Sequence, residues 1–328
     1  MSSAGLPSKP VFLITIDTEG DNLWAHPRTI TTENAKYLGR FQRLCERYGF
    51  KPTYLTDYEM AVSPEYCAFA HDVLKRHAGE VGMHLHAWNS PPILPLTDDD
   101  YAYCTYLIEY PEAVMREKIR VLTALLEDEF QAPQRSHRAG RWGFNETYAR
   151  ILLENGYWVD CSVAPKVSYT AHKGDPKGKG GPDYTRFPEQ PYYLDLSDIG
   201  RPGESVLLEV PVTVMDLRPP WAAGIPRRSL PGRVLNRICP AVAWLRPTRK
   251  NLKAMLTLVR RAVREARPCV EFMLHSSELM PGGSPTFPGE HEIENLYAHL
   301  EELFALSSQS FRGGTLAEFA ESYQAVAV

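Results

Sequence analysis

Four stretches of the chain end in side chains that can bind cations or move protons. Residues 11–16 are a continuous apolar run that passes into Asp17, Glu19 and Asp21, three carboxylates set two apart. Side chains at i and i+2 share a strand face, so these three suit a hard-cation site or a base beside a ligand. Residues 80–86 end in His84-Leu85-His86, which puts two imidazoles on one face. With a carboxylate from a neighbouring strand they make a three-ligand metal site that leaves positions open for water. Residues 136–139 carry Arg138 and are followed by Arg141. A guanidinium beside a carboxylate keeps that carboxylate ionised and aimed. Residues 269–275 end in His275, whose unperturbed pKa near neutrality suits it to protonate a leaving group. His26, His71, His77, His137, His172, His291 and His299 have no such placement and read as surface or structural residues.

Strands must carry these groups to one place. Strands are expected at 11–16, 51–56, 80–86, 136–139, 158–163, 206–214 and 269–275. Helices are expected at 32–48, 63–77, 111–130, 145–156, 249–267 and 290–306, with Thr315 capping a last short one. Strand–helix alternation along the whole chain argues for a parallel sheet wrapped by helices. Seven strands favour a closed or nearly closed barrel, and catalytic groups in such folds gather at the C-terminal ends of the strands. The expected organisation is a tail at 1–9 and a single barrel domain at 10–328. Insertions fall at about 166–188, rich in Gly, Lys and Pro, and about 217–248, rich in Pro and Arg with Trp221 and Trp244.

Composition narrows the class. At 44% hydrophobic and 23% charged residues over 328 positions, the chain is globular and neither disordered nor coiled coil. No apolar run approaches the about 20 residues of a membrane span, and no signal-peptide pattern opens the chain, so a cytoplasmic protein is expected. Cys45, Cys67, Cys104, Cys161, Cys239 and Cys269 form no CxxC pair and read as reduced thiols. The net charge of −4 hides an asymmetry: residues 216–267 hold 13 Lys or Arg against Asp216 and Glu265. That block suits either an anionic partner or a solvated basic helix pair on an otherwise acidic protein.

The order of these motifs resembles the polysaccharide deacetylase (NodB homology) family over about 11–316. The resemblance implies a distorted (β/α)7 barrel that removes acetyl groups from N-acetyl amino sugars with a bound divalent metal, most often zinc. The family's TFDD motif is similar to Thr15-Ile16-Asp17-Thr18-Glu19, which carries the general base onto Asp17. Thr18 replaces the family's metal-binding aspartate, so the resemblance implies Glu19 as ligand, with Asp21 as the alternative. Of the family's HSxxH, His84 matches the first histidine, Trp88 occupies the second position, and His86 is the substitute. Arg138-Ala139-Gly140-Arg141-Trp142 resembles RxPxG, which implies that Arg138 orients the base. The last motif implies His275 as general acid. Asp160 resembles a neighbouring family feature and carries no assigned role.

The expected activity is hydrolysis of an N-acyl group on an amino sugar. Trp24, Trp88, Arg141 and Trp142 are the substrate-binding candidates. The basic block points to a diphosphate-linked precursor, nucleotide- or lipid-borne, in surface polysaccharide assembly, and to peripheral membrane contact. Nucleic acid is not expected. The rival readings are another metal-assisted C–N hydrolase, such as a cyclic-amide or allantoinase-like enzyme, and a non-catalytic carbohydrate-binding barrel.

Overall fold

In the computed structural model, which describes residues 9–222, 225 and 229–323, a strand forms in each of the seven expected places. They are β1 (Val11–Thr18), β2 (Pro52–Thr56), β3 (Glu80–Leu85), β4 (Ser136–Ala139), β5 (Val159–Asp160), β6 (Leu208–Glu209) and β7 (Cys269–His275). All run parallel, in the order β7-β1-β2-β3-β4-β5-β6. Helices return the chain on the outside, which makes the fold a distorted (β/α)7 barrel. Every residue of β1 is buried, as a strand covered on both faces must be.

The distortion lies between β6 and β7. The expected strand at 206–214 breaks into β6 and a separate piece, Val214–Met215, because Pro211 has no N–H for a ladder. The gap is bridged by a few bonds instead. Thr213 N–H donates to the Glu271 carbonyl at 3.2 Å, and Met273 N–H donates to the Leu245 carbonyl at 3.2 Å. On the outer side of β6 an antiparallel hairpin, Tyr192–Asp195 with Asp198–Pro202, extends the sheet. Its strands are too short to stand out from their polar surroundings in the sequence.

Local chemistry accounts for the helix ends. The expected helix at 32–48 begins as a tight turn, Glu33–Tyr37, and becomes α-helical at Leu38–Arg47. Asp21 accepts from the backbone N–H groups of Glu33 and Asn34 at 2.8 and 2.9 Å and so fixes that turn. Gly49, at φ +72°, then takes the chain out in the left-handed region. Asn145 caps Glu146–Glu154 through the Tyr148 N–H, and Thr315 with Glu318 forms a capping box on Leu316–Ser322. The long helix Glu112–Phe130 buries Met115, Ile119, Leu122 and Leu126, one face of a 3.6-residue period. Phe12 stacks on Phe50 at 4.8 Å, with Phe304 edge-on to both; truncating such a residue to Ala costs about 3–5 kcal/mol. All six cysteines are free thiols. No helix among the described residues is long and apolar enough to cross a membrane.

The two insertions differ. Residues 166–188 double back through a Ser168–Asp183 bridge and form one wall of the site. Residues 217–248 hold a helix, Leu230–Ile238, and a short strand, Ala243–Trp244, paired with Val214–Met215. Arg227 and Arg228 in this insertion lie outside the described residues.

Candidate metal centre and active site

β1, β3, β4 and β7 end around a cleft of about 480 Å³ whose lining includes Asp17, Glu19, His84, His86 and His275. In-register pairing sets Asp17 opposite His275, and His84 opposite Arg138. Strand pairing thus brings the strand-end groups together, although Asp21, two residues past Glu19, turns away to residues 31–34.

Glu19, His84 and His86 converge. The Nε2 atoms of the two histidines are 3.1 Å apart, and Glu19 Oε2 lies 2.9 Å from His86 Nε2 and 3.6 Å from His84 Nε2. His84 Nδ1 sits 2.9 Å from the Arg138 carbonyl. A carbonyl only accepts, so Nδ1 carries the proton and the Nε2 lone pair faces inward, the kind of hydrogen bond that orients metal-binding histidines. An imidazole lone pair, a second imidazole nitrogen and a carboxylate oxygen lie within 4.8 Å of one another, all buried, and this set fits a cation between them. Two imidazoles and one carboxylate suit zinc and other first-row divalent metals alike. Gly140 makes room: a Cβ there would lie 2.6 Å from His86 Nδ1.

Asp21 is placed elsewhere. Its carboxylate accepts from Thr31 Oγ1, the N–H groups of Glu33 and Asn34, and the Asn34 side-chain amide, all at 2.7–2.9 Å. Of the two carboxylates weighed as the ligand, only Glu19 reaches the histidines; Asp21 braces the loop.

Arg138 is fully buried and every donor group it has is engaged. Nη1 donates to Asp17 Oδ1. Nη2 donates to Glu271 Oε1 and to Thr15 Oγ1, and Nε donates to the Cys161 carbonyl. Burial works against ionisation of Asp17, but Arg138, with His84 and His275, outweighs it and holds the carboxyl below its ordinary range. Burial likewise opposes the charge on Glu19, and His275, His84 and His86 overcome it. On the other side of the guanidinium, burial pushes Glu271 up to about 7 despite Arg138.

His275 points Nε2 into the cleft, 3.6 Å from Asp17 Oδ2 and 3.8 Å from Glu19 Oε1. Its other face is held by Glu278, whose Oε2 accepts from the His275 backbone N–H at 2.9 Å and lies 3.2 Å from Nδ1. Burial disfavours the Glu278 charge, but Arg246 and His275 hold this carboxyl down to about 2. Arg246 Nη2 reaches both, at 3.1 Å from His275 Nδ1 and 3.2 Å from Glu278 Oε1.

Aromatic rings surround these groups. Trp24 meets His275 edge-on at 4.9 Å, and Trp88 lies 4.3 Å from His86. Trp142 covers the Arg138 guanidinium at 5.0 Å and stacks on Tyr169 at 6.5 Å. Arg141 lines the cleft, but its guanidinium lies 4.1 Å over the Tyr106 ring and donates to backbone carbonyls of Cys104, Tyr103 and Lys173. Arg141 and Trp142 both have left-handed backbones, at φ 54° and 63°, a strain that clusters at functional sites.

The tertiary structure adds to the account of three further groups. His26 and His172 are exposed, as expected, and also line the cleft; His26 Nδ1 lies 3.2 Å from Cys104 Sγ. Within the basic block, among the described residues, only Arg246 lines the cleft; Arg261 and Arg267 pair with Glu265 and Glu189 toward the far end. Among its described residues, the block therefore does not flank the mouth as a whole. Asp160, left without a role, accepts from buried His137 at 2.5 Å and from Ser162, and so stitches β4 to β5 beneath the site.

The sequence reading missed Glu271, Glu278 and Arg246. Glu271 carried a signal: it shares a strand face with His275 inside an otherwise apolar run. Glu278, three residues past His275, carried a weaker one as a turn residue.

The fold is a parallel barrel that carries at its mouth a two-histidine, one-carboxylate group able to hold a metal ion. Solved structures with the same fold include a protein assigned as a polysaccharide deacetylase from Mycobacterium smegmatis, at 14% identity and TM-score 0.53, covering 98% of this chain and 93% of that one. A protein from Parabacteroides distasonis assigned as a glycoside hydrolase/deacetylase matches at 12% identity and TM-score 0.59, over 97% of this chain and 72% of that one. A 4-alpha-glucanotransferase from Thermococcus litoralis matches at 13% identity and TM-score 0.51, over 96% of this chain and 38% of its own length. No protein-family model matches the chain, and no curated protein matches it in sequence.

Proposed function

We propose that this chain is a metal-dependent hydrolase that removes an N-acyl group, acetate in the simplest case, from an amino sugar. The fold is shared with glucan-acting enzymes and does not by itself choose the chemistry. The observation that carries the reading is the convergence of Glu19, His84 and His86 beside Asp17 and His275 in one cleft.

Glu19, His84 and His86 would hold a divalent cation, zinc or another first-row metal, which would supply polarisation of the acyl carbonyl and acidify the attacking water. Asp17, kept ionised by Arg138, takes a proton from that water as its oxygen adds to the acyl carbon. His275 Nε2 delivers a proton to the departing nitrogen as the C–N bond breaks, so the products are a carboxylate and a free amine. Glu278 holds the Nδ1 side of His275 and keeps Nε2 aimed at the leaving group. Trp24, Trp88 and Trp142 offer ring faces for a sugar, and Arg141 fixes the wall between them.

Three basic residues, Arg141, Lys173 and Arg246, line the cleft. This supports an anionic, diphosphate-linked sugar, nucleotide- or lipid-borne, used in glycan assembly in the cytoplasm. The test is elemental analysis of the purified protein together with acetate release from a panel of N-acetyl sugars. We expect one divalent ion per chain, and activity lost to a chelator and restored by zinc. Hydrolysis of a cyclic amide, or no hydrolysis with the metal bound, would replace this reading.

A further inference from the structure

Several large apolar side chains that face solvent gather toward one end of the fold, while Val206 and Val263 lie elsewhere. Trp24, Ile93, Tyr103, Trp221, Leu230 and Val234 all sit in segments that leave the C-terminal ends of strands, where the cleft opens. Three of them belong to the 217–248 insertion: Trp221, Leu230 and Val234 are 74%, 78% and 60% exposed. Leu230 and Val234 are one turn apart on Leu230–Ile238 and share a face, with exposed Arg233 between them in sequence. The insertion leaves and returns through the Val214–Met215 and Ala243–Trp244 ladder, whose Trp244 meets Trp142 of the cleft wall at 5.8 Å.

Unpaired positive charge lies at the same end. Arg249, Lys250 and Lys253 are exposed and form no ion pair among the described residues. Asn251 Nδ2 donates to the Arg246 carbonyl at 2.7 Å, which ties this stretch to the residue that touches His275. An exposed Trp in the turn Pro220–Ala222 and exposed aliphatic side chains on a short helix of the same insertion, with unpaired cations further along the chain, match the interface of an anionic bilayer: the rings and methyls enter the headgroup layer and the cations meet lipid phosphates.

We propose that this face docks on an anionic lipid surface, with Trp221, Leu230 and Val234 inserted and the cleft opening beside the membrane. If the cleft is a deacetylase site, docking selects the lipid-linked sugar over the nucleotide-linked one; that clause rests on the functional reading, and the docking does not.

The experiment is co-sedimentation of the full chain with vesicles of phosphatidylcholine alone and of phosphatidylcholine mixed with phosphatidylglycerol, at low and high salt. The wild type should sediment with the mixed vesicles at low salt and stay in solution with the neutral ones. Changing Trp221, Leu230 and Val234 together to Ala should lower partitioning by about ten-fold or more. Arg249→Glu with Lys250→Glu should lower it independently and remove the salt dependence. Val263→Ala, an exposed apolar position at the far end of Leu252–Arg264, should change nothing. Circular dichroism checks that each variant folds. The proposal falls if the wild type ignores anionic vesicles, if the variants partition like the wild type, or if the patch drives self-association without lipid binding. Vesicle binding in a protein that releases no acetate would support the docking and overturn only the reading of the cleft.

Discussion

His84 and Arg138 face each other across the β3–β4 pairing, and the His84 Nδ1–H donates to the Arg138 carbonyl at 2.9 Å. One residue of β4 thus orients a metal-ligand candidate with its backbone while its side chain grips Asp17. The two halves of the proposed chemistry, cation binding and proton abstraction, share a single support.

That support is a buried cation between two buried carboxylates, Asp17 and Glu271. Removing the cation alone leaves both uncompensated, so Arg138→Met should cost about 3–5 kcal/mol of stability. Urea denaturation measures this. A loss below about 1 kcal/mol would mean that water or protonation replaces the guanidinium.

Metal occupancy separates the ligands. His84→Ala, His86→Ala and Glu19→Gln should each sharply reduce bound divalent metal in elemental analysis. Asp21→Asn should leave occupancy intact and destabilise the 31–34 loop instead, since its oxygens face that loop. Full occupancy in the histidine variants would rule out the site.

Proton transfer should be separable from binding. Asp17→Asn and His275→Ala should keep the metal and lose about 10²–10⁴-fold in kcat. Glu278→Gln should keep the metal and lower kcat by about 10²-fold, because the residue that holds His275 Nδ1 no longer carries charge. Near wild-type turnover in any of the three would remove that residue's role.

A diphosphate on the substrate should be visible in kinetics. kcat/KM for a diphosphate-linked N-acetyl sugar should exceed that for the free sugar, and the advantage should shrink at high salt. Arg227→Ala with Arg228→Ala should reduce the advantage if the insertion contributes. Equal efficiency for both substrates under all conditions would leave the basic block as solvated surface.

Lys118 makes stability depend on alkaline pH. It is fully buried, donates to the Ser90 and Pro92 carbonyls at 2.7 Å, and is held down to about 8 by that burial, against 10.5 in water. Between about pH 8 and 10.5 the unfolded chain binds the proton that the folded chain has released, so stability should rise with pH across this window. Denaturation midpoints in wild type and Lys118→Met would show it: the rise should be present in the first and absent in the second.

The seven strands and the two-residue spacing of their terminal polar groups were legible because both depend on local pattern. A continuous apolar run such as 11–16 can hardly be other than a buried strand, and His84 and His86 must share a face once that strand exists. The choice between Glu19 and Asp21 was not local. It rests on Thr31 and Asn34, which fold back to engage Asp21, and on two histidines delivered by β3. The partners of the key groups were equally hidden. Glu271 reaches Arg138 across 133 positions of sequence, and Arg246 reaches His275 only because the strand at 206–214 breaks at Pro211 and the returning chain closes the barrel. Periodicity decides which side chains share a face. Only closure of the barrel decides which faces meet, because that depends on distances between segments that no local pattern encodes.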